Sequence, residues 1–141
     1  MGLEKNRTFR EALERSAATG PAPSRINFRG HSDNLSTHYA EASVALNFSA
    51  SESFSNTCLD ASAAGLPVVA TRCGGPEEII EDGVTGFLVS VGDVTAMAER
   101  MAWLLDHPLE AKTMGKAGQG LVAERFSPSL IAAELKILFA L

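Results

Sequence analysis

The sequence predicts an α/β fold: a parallel sheet with flanking helices, followed at the C-terminal end by three helices. Three observations predict it. Apolar-rich runs of strand length stand at residues 44–48, 66–71 and 87–91, short as expected for strands buried on both faces. Segments with apolar residues at helical spacing separate them, the alternation that builds a parallel sheet with crossover helices. Glycine and proline punctuate the junctions at Gly65, Pro67, Gly74-Gly75-Pro76, Gly83 and Gly86. At 141 residues and 45% hydrophobic content the chain is expected to form one domain, burying roughly two thirds of its unfolded surface.

Taken in order, residues 8–18 carry Phe9, Ala12, Leu13 and Ala17 on one helical face, and Gly20-Pro21-Ala22-Pro23 stops that helix. Ile26-Asn27-Phe28 alternates as a short strand ending at Arg29-Gly30-His31. A helix over 33–42 follows, capped by Ser32 or Asp33, with Leu35, Tyr39 and Ala42 inward and His38 and Glu41 toward solvent. The strand at 44–48 delivers the chain to Glu52, and Ser53 or Ser55 then caps a short helix that ends in a turn at Gly65. Pro67 is tolerated at the start of the strand at 66–71. Gly74-Gly75 permits positive φ angles or close ligand approach, and Pro76 fits the first position of a helix over 77–81.

Asp82-Gly83 and Thr85-Gly86 are turn signals ahead of the strand at 87–91. Asp93 starts a helix bearing Met97, Met101, Leu104 and Leu105, a second follows Pro108, and Ser127-Pro128 opens a third. The methionines and Trp103, at helical spacing, are core or interface positions. Residues 130–141 are apolar almost all round, with Glu134 and Lys136 their only charges, so this helix is expected to be covered.

The chemistry concentrates between Glu52 and Glu77. In an open α/β sheet, ligands sit where loops leave the carboxyl ends of strands and helices begin, and this stretch holds two such corners. Glu52, Ser53, Phe54, Ser55, Asn56 and Thr57 run into a helix N-terminus, whose unpaired N–H groups can hold a phosphate without a dedicated basic side chain. Asp60 lies eight residues beyond Glu52, a separation of roughly 12 Å along a helix axis. Two acids so placed can accept hydrogen bonds from hydroxyls at opposite ends of a nucleotide sugar. On spacing alone, an N-cap loop with a solvated Glu52 and a surface Asp60 is the commoner arrangement of two such acids.

Several classes are excluded. The net charge of −5 comes with no basic cluster, which argues against a nucleic-acid surface. Gly74-Gly75 belongs to neither a G-x-G-x-x-G fingerprint nor a Gly-Lys-Ser/Thr phosphate loop. Cys58 and Cys73 lack metal-ligand spacing and read as reduced thiols, with no metal site expected. Residues 1–10 have no signal-peptide apolar core, no run approaches 18 apolar residues, and Asn6 breaks the myristoylation pattern after Gly2, so a cytoplasmic protein without a transmembrane segment is expected.

Glu52-x7-Asp60, then Ala61-Ser62-Ala63-Ala64-Gly65-Leu66-Pro67-Val68-Val69-Ala70-Thr71 and Gly74-Gly75-Pro76-Glu77, resembles the C-terminal domain of the GT-B retaining glycosyltransferases. Glu81-Asp82-Gly83-Val84-Thr85-Gly86-Phe87-Leu88-Val89, Gly92-Asp93, Met114-Gly115 and Phe126-Ser127 extend the match, which runs from about Ile26 to Ser127. The resemblance implies a Rossmann-like fold. It implies that Glu52, the candidate catalytic residue, orients the transferred sugar, that Asp60 contacts the ribose, and that the backbone from Ser53 and Phe54 through Ser55, Asn56 and Thr57 holds the diphosphate. Gly30 and His31 would lie near the base. The chain departs from the family at Asp60, where a second Glu is usual and reaches about 1.5 Å further. Ser53 and Ser55 stand at common Gly positions, and Ser62 at a common Met. No residues ahead of Arg25 match the family's Gly-rich loop and its Arg/Lys pair.

The expected function is therefore that of a donor-binding fragment of a retaining glycosyltransferase, with a nucleotide sugar as donor substrate and no cofactor or metal. Hexose transfer would require completion by an acceptor domain, and the chain alone would be silent. A single domain over 1–141 is expected, divided into a helix and linker at 1–24, the donor-binding region at 25–127 and an apolar helix at 128–141. A non-catalytic nucleotide-sugar-binding or scaffolding subunit and a sugar-nucleotide epimerase of the same architecture are the alternatives. An acceptor-domain chain or a second copy would dock on the apolar C-terminal helix or the open sheet edge.

Overall fold

Three short parallel strands carry the fold in the computed structural model, which describes residues 2–21, 25–30 and 32–139, with side chains from residue 7 onward. β1 (Ala45–Asn47), β2 (Val68–Thr71) and β3 (Gly86–Val89) lie in the order β1-β2-β3. Register aligns Leu46 with Val69 and Val69 with Phe87, so β2 is central. Every residue of β2 and β3 is buried, as the short apolar-rich runs predict.

Successive residues feed opposite faces. Val68, Ala70 and Leu88 join Cys58, Ala61, Ile79 and Val122 in one core cluster, with Ala45 packed against it. Val69, Phe87 and Val89 join Met97, Leu104, Ala111 and Met114 in a second, with Leu46 packed against that one. The period-two alternation of a pleated strand thus separates two cores across one sheet. On the first face lie α3 (Asn56–Ala63) and α4 (Pro76–Ile79), and on the second α5 (Val94–Asp106).

The helix α6 (Pro108–Arg125) contributes to both cores, Ala111 and Met114 to one and Val122 to the other. It does so by crossing the amino ends of the strands. A Cβ on Gly115 would lie 2.0 Å from the Gly65 carbonyl oxygen ahead of β2, and one on Gly118 would lie 3.4 Å from the Thr85 carbonyl oxygen ahead of β3. The opposite, carboxyl edge of the sheet is left to the loops after β1 and β2.

The chain divides into two compact units, Met1–Asn34 and Leu35–Leu141. The first holds α1 (Gly2–Thr19), longer than expected and laced by Arg7–Glu11 and Arg10–Glu14 pairs at i,i+4. Its Phe9 and Leu13 are exposed. The expected strand at 26–28 is irregular, with Ile26 and Phe28 exposed. Three residues become a strand only through a ladder partner, and this run is not among the sheet's three strands.

In the second unit α2 (Leu35–Glu41) buries no residue completely, and of its expected inward positions only Tyr39 packs on the core while Leu35 and Ala42 stay exposed. The last helix, α7 (Pro128–Leu138), is capped by Ser127 as the Ser-Pro signal predicts. Its own unit leaves it uncovered: none of its described residues is buried, and Ile137 and Leu138 are 82% and 74% exposed.

Candidate functional site

The site is built at the carboxyl edge of the sheet, where the loops after β1 and β2 lock together. Glu52 N–H donates to the Cys73 carbonyl at 3.1 Å and Gly75 N–H to the Glu52 carbonyl at 2.7 Å, a bridge that extends the β1–β2 pairing past the strands. Gly74 adopts φ +113°, and a Cβ there would lie 2.5 Å from the Glu52 carbonyl oxygen. A Cβ on Gly75 would lie 2.5 Å from Phe54 Cα. The two glycines are therefore required by the approach of one backbone to another. Glu77, in the first turn of α4, accepts from Gly74 N–H at 2.9 Å and Cys73 N–H at 3.2 Å and closes the second loop.

The Glu52 carboxylate is held from below. Asn47, at the end of β1 and 6% exposed, donates from Nδ2 to both carboxylate oxygens at 3.2 and 3.3 Å. The Ser49 hydroxyl donates to Oε1, and the Thr71 hydroxyl at the end of β2 donates to the Ser49 carbonyl. Hydrogen bonds from Ser49 and then Ser55 hold the Glu52 carboxyl below the usual glutamate range; burial opposes them, and the Asn47 amide adds a smaller lowering effect than any of these. The group is thus ionised and acceptor-only at neutral pH.

Ser55 is the N-cap of α3 and is buried; its hydroxyl accepts from Cys58 N–H at 3.3 Å and from Asn47 Nδ2 at 2.9 Å. Asn56 and Thr57 form the exposed first positions of that helix, where no intrahelical carbonyl is in reach of their N–H groups. An anion-favouring helix end and an ionised carboxylate therefore belong to one short segment.

Of the other sequence-predicted residues, Ser53 is exposed and Phe54 packs edge-on against Phe126, ring centroids 5.7 Å apart. Asp60 is exposed on α3 and borders an open groove of about 370 Å³ with Leu35, Ser36, Tyr39, Ala40 and Ala64. Burial raises the Tyr39 hydroxyl above its ordinary pKa, and the Asp60 charge adds to that. Gly30 is exposed in the first unit, and His31 lies outside the described residues. Arg72, at the end of β2, pairs with Asp82. Sequence reasoning missed Asn47, Ser49 and Thr71. The available signal was an Asn closing an apolar strand, since a buried polar group there needs partners.

Residues 2–107 match the family described as Glycosyl transferases group 1. The chain belongs to that family. It is 34% identical over 115 residues to N-acetyl-alpha-D-glucosaminyl L-malate synthase of Bacillus anthracis, covering 82% of this chain and 30% of that protein. It is 45% identical over 80 residues to a sucrose synthase of Acidithiobacillus caldus, covering 54% of this chain and 10% of that one. The sucrose-phosphate synthase structure from Thermosynechococcus elongatus superposes with a TM-score of 0.87 at 30% identity, over 96% of this chain and 34% of that one. Anabaena HepE, solved in complex with UDP, shares the fold at a TM-score of 0.92 and 23% identity, over 97% of this chain and 38% of its own. The chain thus spans less than two fifths of each of these four relatives, and its fold is that of the GT-B glycosyltransferases.

Proposed function

We propose that the chain is the donor-binding region of a retaining glycosyltransferase that takes a nucleotide sugar and transfers its hexose once an acceptor-binding domain completes it. One observation carries this: the ionised Glu52 carboxylate is fixed a few residues ahead of the open N-terminal turn of α3. The N–H groups of Asn56 and Thr57 suit a diphosphate, and Glu52, accepting only, suits sugar hydroxyls. Asp60, further along α3, suits the ribose, and the groove beside it leaves room for the nucleoside. Transfer with retention needs no further nucleophile when the leaving phosphate itself assists attack on the same face, so Glu52 orients the sugar. No metal or cofactor enters this scheme.

The exposed apolar side of α7 supports a covering partner, either the acceptor domain or a second copy. The free thiols Cys58 and Cys73 support a reducing compartment such as the cytoplasm. Among the described residues no helix is long and apolar enough to cross a membrane.

The test is isothermal titration of the purified chain with UDP, GDP and ADP, beside an Asp60→Ala variant. One nucleotide is expected to bind and to weaken about tenfold in the variant, the loss of a hydrogen bond to a charged group. Failure of all three to bind overturns a self-sufficient donor site.

A further inference from the structure

We propose that Asn47 is a positioning residue for the donor site, holding the Glu52 carboxylate and the N-cap of α3 in one frame. The inference rests on the donor-site reading above. Asn47 is nine-tenths buried, and both ends of its amide are hydrogen-bonded. Its Oδ1 accepts from Ser49 N–H at 2.9 Å. Its Nδ2 reaches both Glu52 carboxylate oxygens, at 3.2 and 3.3 Å, and the Ser55 hydroxyl at 2.9 Å.

Only one side chain type fits this place. The position requires an acceptor facing a backbone N–H and, on the same short stem, two N–H bonds facing a carboxylate and a hydroxyl. Asp supplies the acceptor without the donors, Leu supplies neither, and Gln carries its amide one bond too far. Asn47 also stands on β1, in the sheet, whereas Glu52 and Ser55 stand on the loop. A site group on a loop is placed accurately when a rigid element holds it, and Asn47 supplies that hold. Without it, the Ser49 and Ser55 hydroxyls still bond the Glu52 carboxylate, but no side chain of β1 ties that carboxylate to the N-cap of α3.

A purely local role makes a different forecast. If Asn47 served only to turn the chain after β1, its contact with Ser49 N–H would suffice, and Asn47→Thr keeps a side-chain acceptor for an N–H two residues on while losing both amide donors and adding no charge beside Glu52. The experiment compares the unsubstituted chain with Asn47→Thr and Asn47→Leu. UDP, GDP and ADP are titrated, each beside its glucose ester, and the ratio of ester to diphosphate affinity is read together with the Glu52 carboxyl titration by carbon NMR.

The expected result is that both variants fold, that the sugar's contribution to affinity falls about tenfold, matching Glu52→Gln, and that Glu52 titrates at higher pH. An Asn47→Thr variant with the unsubstituted ratio and titration overturns the positioning role and leaves the donor site standing. Binding of a diphosphate with no sugar contribution in the unsubstituted chain also overturns it. Absence of all nucleotide binding overturns the donor site and the positioning role together. Failure of both variants to fold assigns Asn47 to the core alone and overturns it as well.

Discussion

At the scale of single residues, Glu52 is the group whose ionisation the fold exploits most directly. Its carboxyl titrates below its ordinary value because the Ser49 and Ser55 hydroxyls and the Asn47 amide bond the charged form. A carboxyl depressed on folding contributes stability that is complete above its unfolded pKa, about 4.3, and is lost as pH falls through the lower folded value. Glu52→Gln keeps the shape and the backbone bridge to Cys73 and Gly75 but has no charge to titrate. Urea unfolding at pH 7 and pH 3 should therefore show the unsubstituted chain losing more stability on acidification than Glu52→Gln. Parallel losses would mean that the network does not prefer the ionised group. The Glu-x7-Asp pattern marked Glu52 in the sequence, but its partners were not legible there. Asn47 and Ser49 act through a turn and a buried amide, and neither leaves a periodic trace.

At the scale of elements, the strands were the most legible features, because two-sided burial writes an apolar-rich run for β2 and β3, and the half-buried β1 carries one interrupted by Asn47. Ile26-Asn27-Phe28 alternates as a strand should and is irregular, since alternation states a preference and a ladder partner supplies the structure. The helix α6 was legible in its start at Pro108 and silent about its route under the sheet. That route rests on glycine. A Cβ at position 115 would lie 2.0 Å from the Gly65 carbonyl oxygen and 3.2 Å from Pro67 N, backbone atoms with no rotamer to yield. Gly120, in the same helix, has nothing within 4 Å of its Cβ position. The same substitution should then have opposite signs: Gly115→Ala costs about 1–3 kcal/mol through overpacking, while Gly120→Ala gains about 0.5–1 kcal/mol of helix propensity. Thermal melts of the two variants decide it, and a neutral Gly115→Ala would show that α6 is free to back away from the turn.

At the scale of the whole molecule, the described site is open. Asn56 and Thr57 are exposed, and the groove beside Asp60 is uncovered within its own unit. Binding a diphosphate needs donors and a helix end, which this geometry offers. Breaking a glycosidic bond to phosphate needs the developing charges shielded from water and an acceptor held in line, which calls for a surface on the far side of the sugar. The exposed apolar side of α7 points the same way, because Ile131, Leu135, Ile137, Leu138 and Phe139 give up free energy to water while uncovered. The full apolar face of α7 was legible in the sequence, but its exposure was not, since apolarity states what a helix would bury and not whether the partner is present. The chain by itself is therefore expected to bind a nucleotide sugar and leave it intact. Incubation with UDP-, GDP- and ADP-glucose, followed by chromatography of the released nucleotide, should show no turnover above buffer. Release that is lost in Glu52→Gln would show that this unit shields and cleaves its donor without a covering domain.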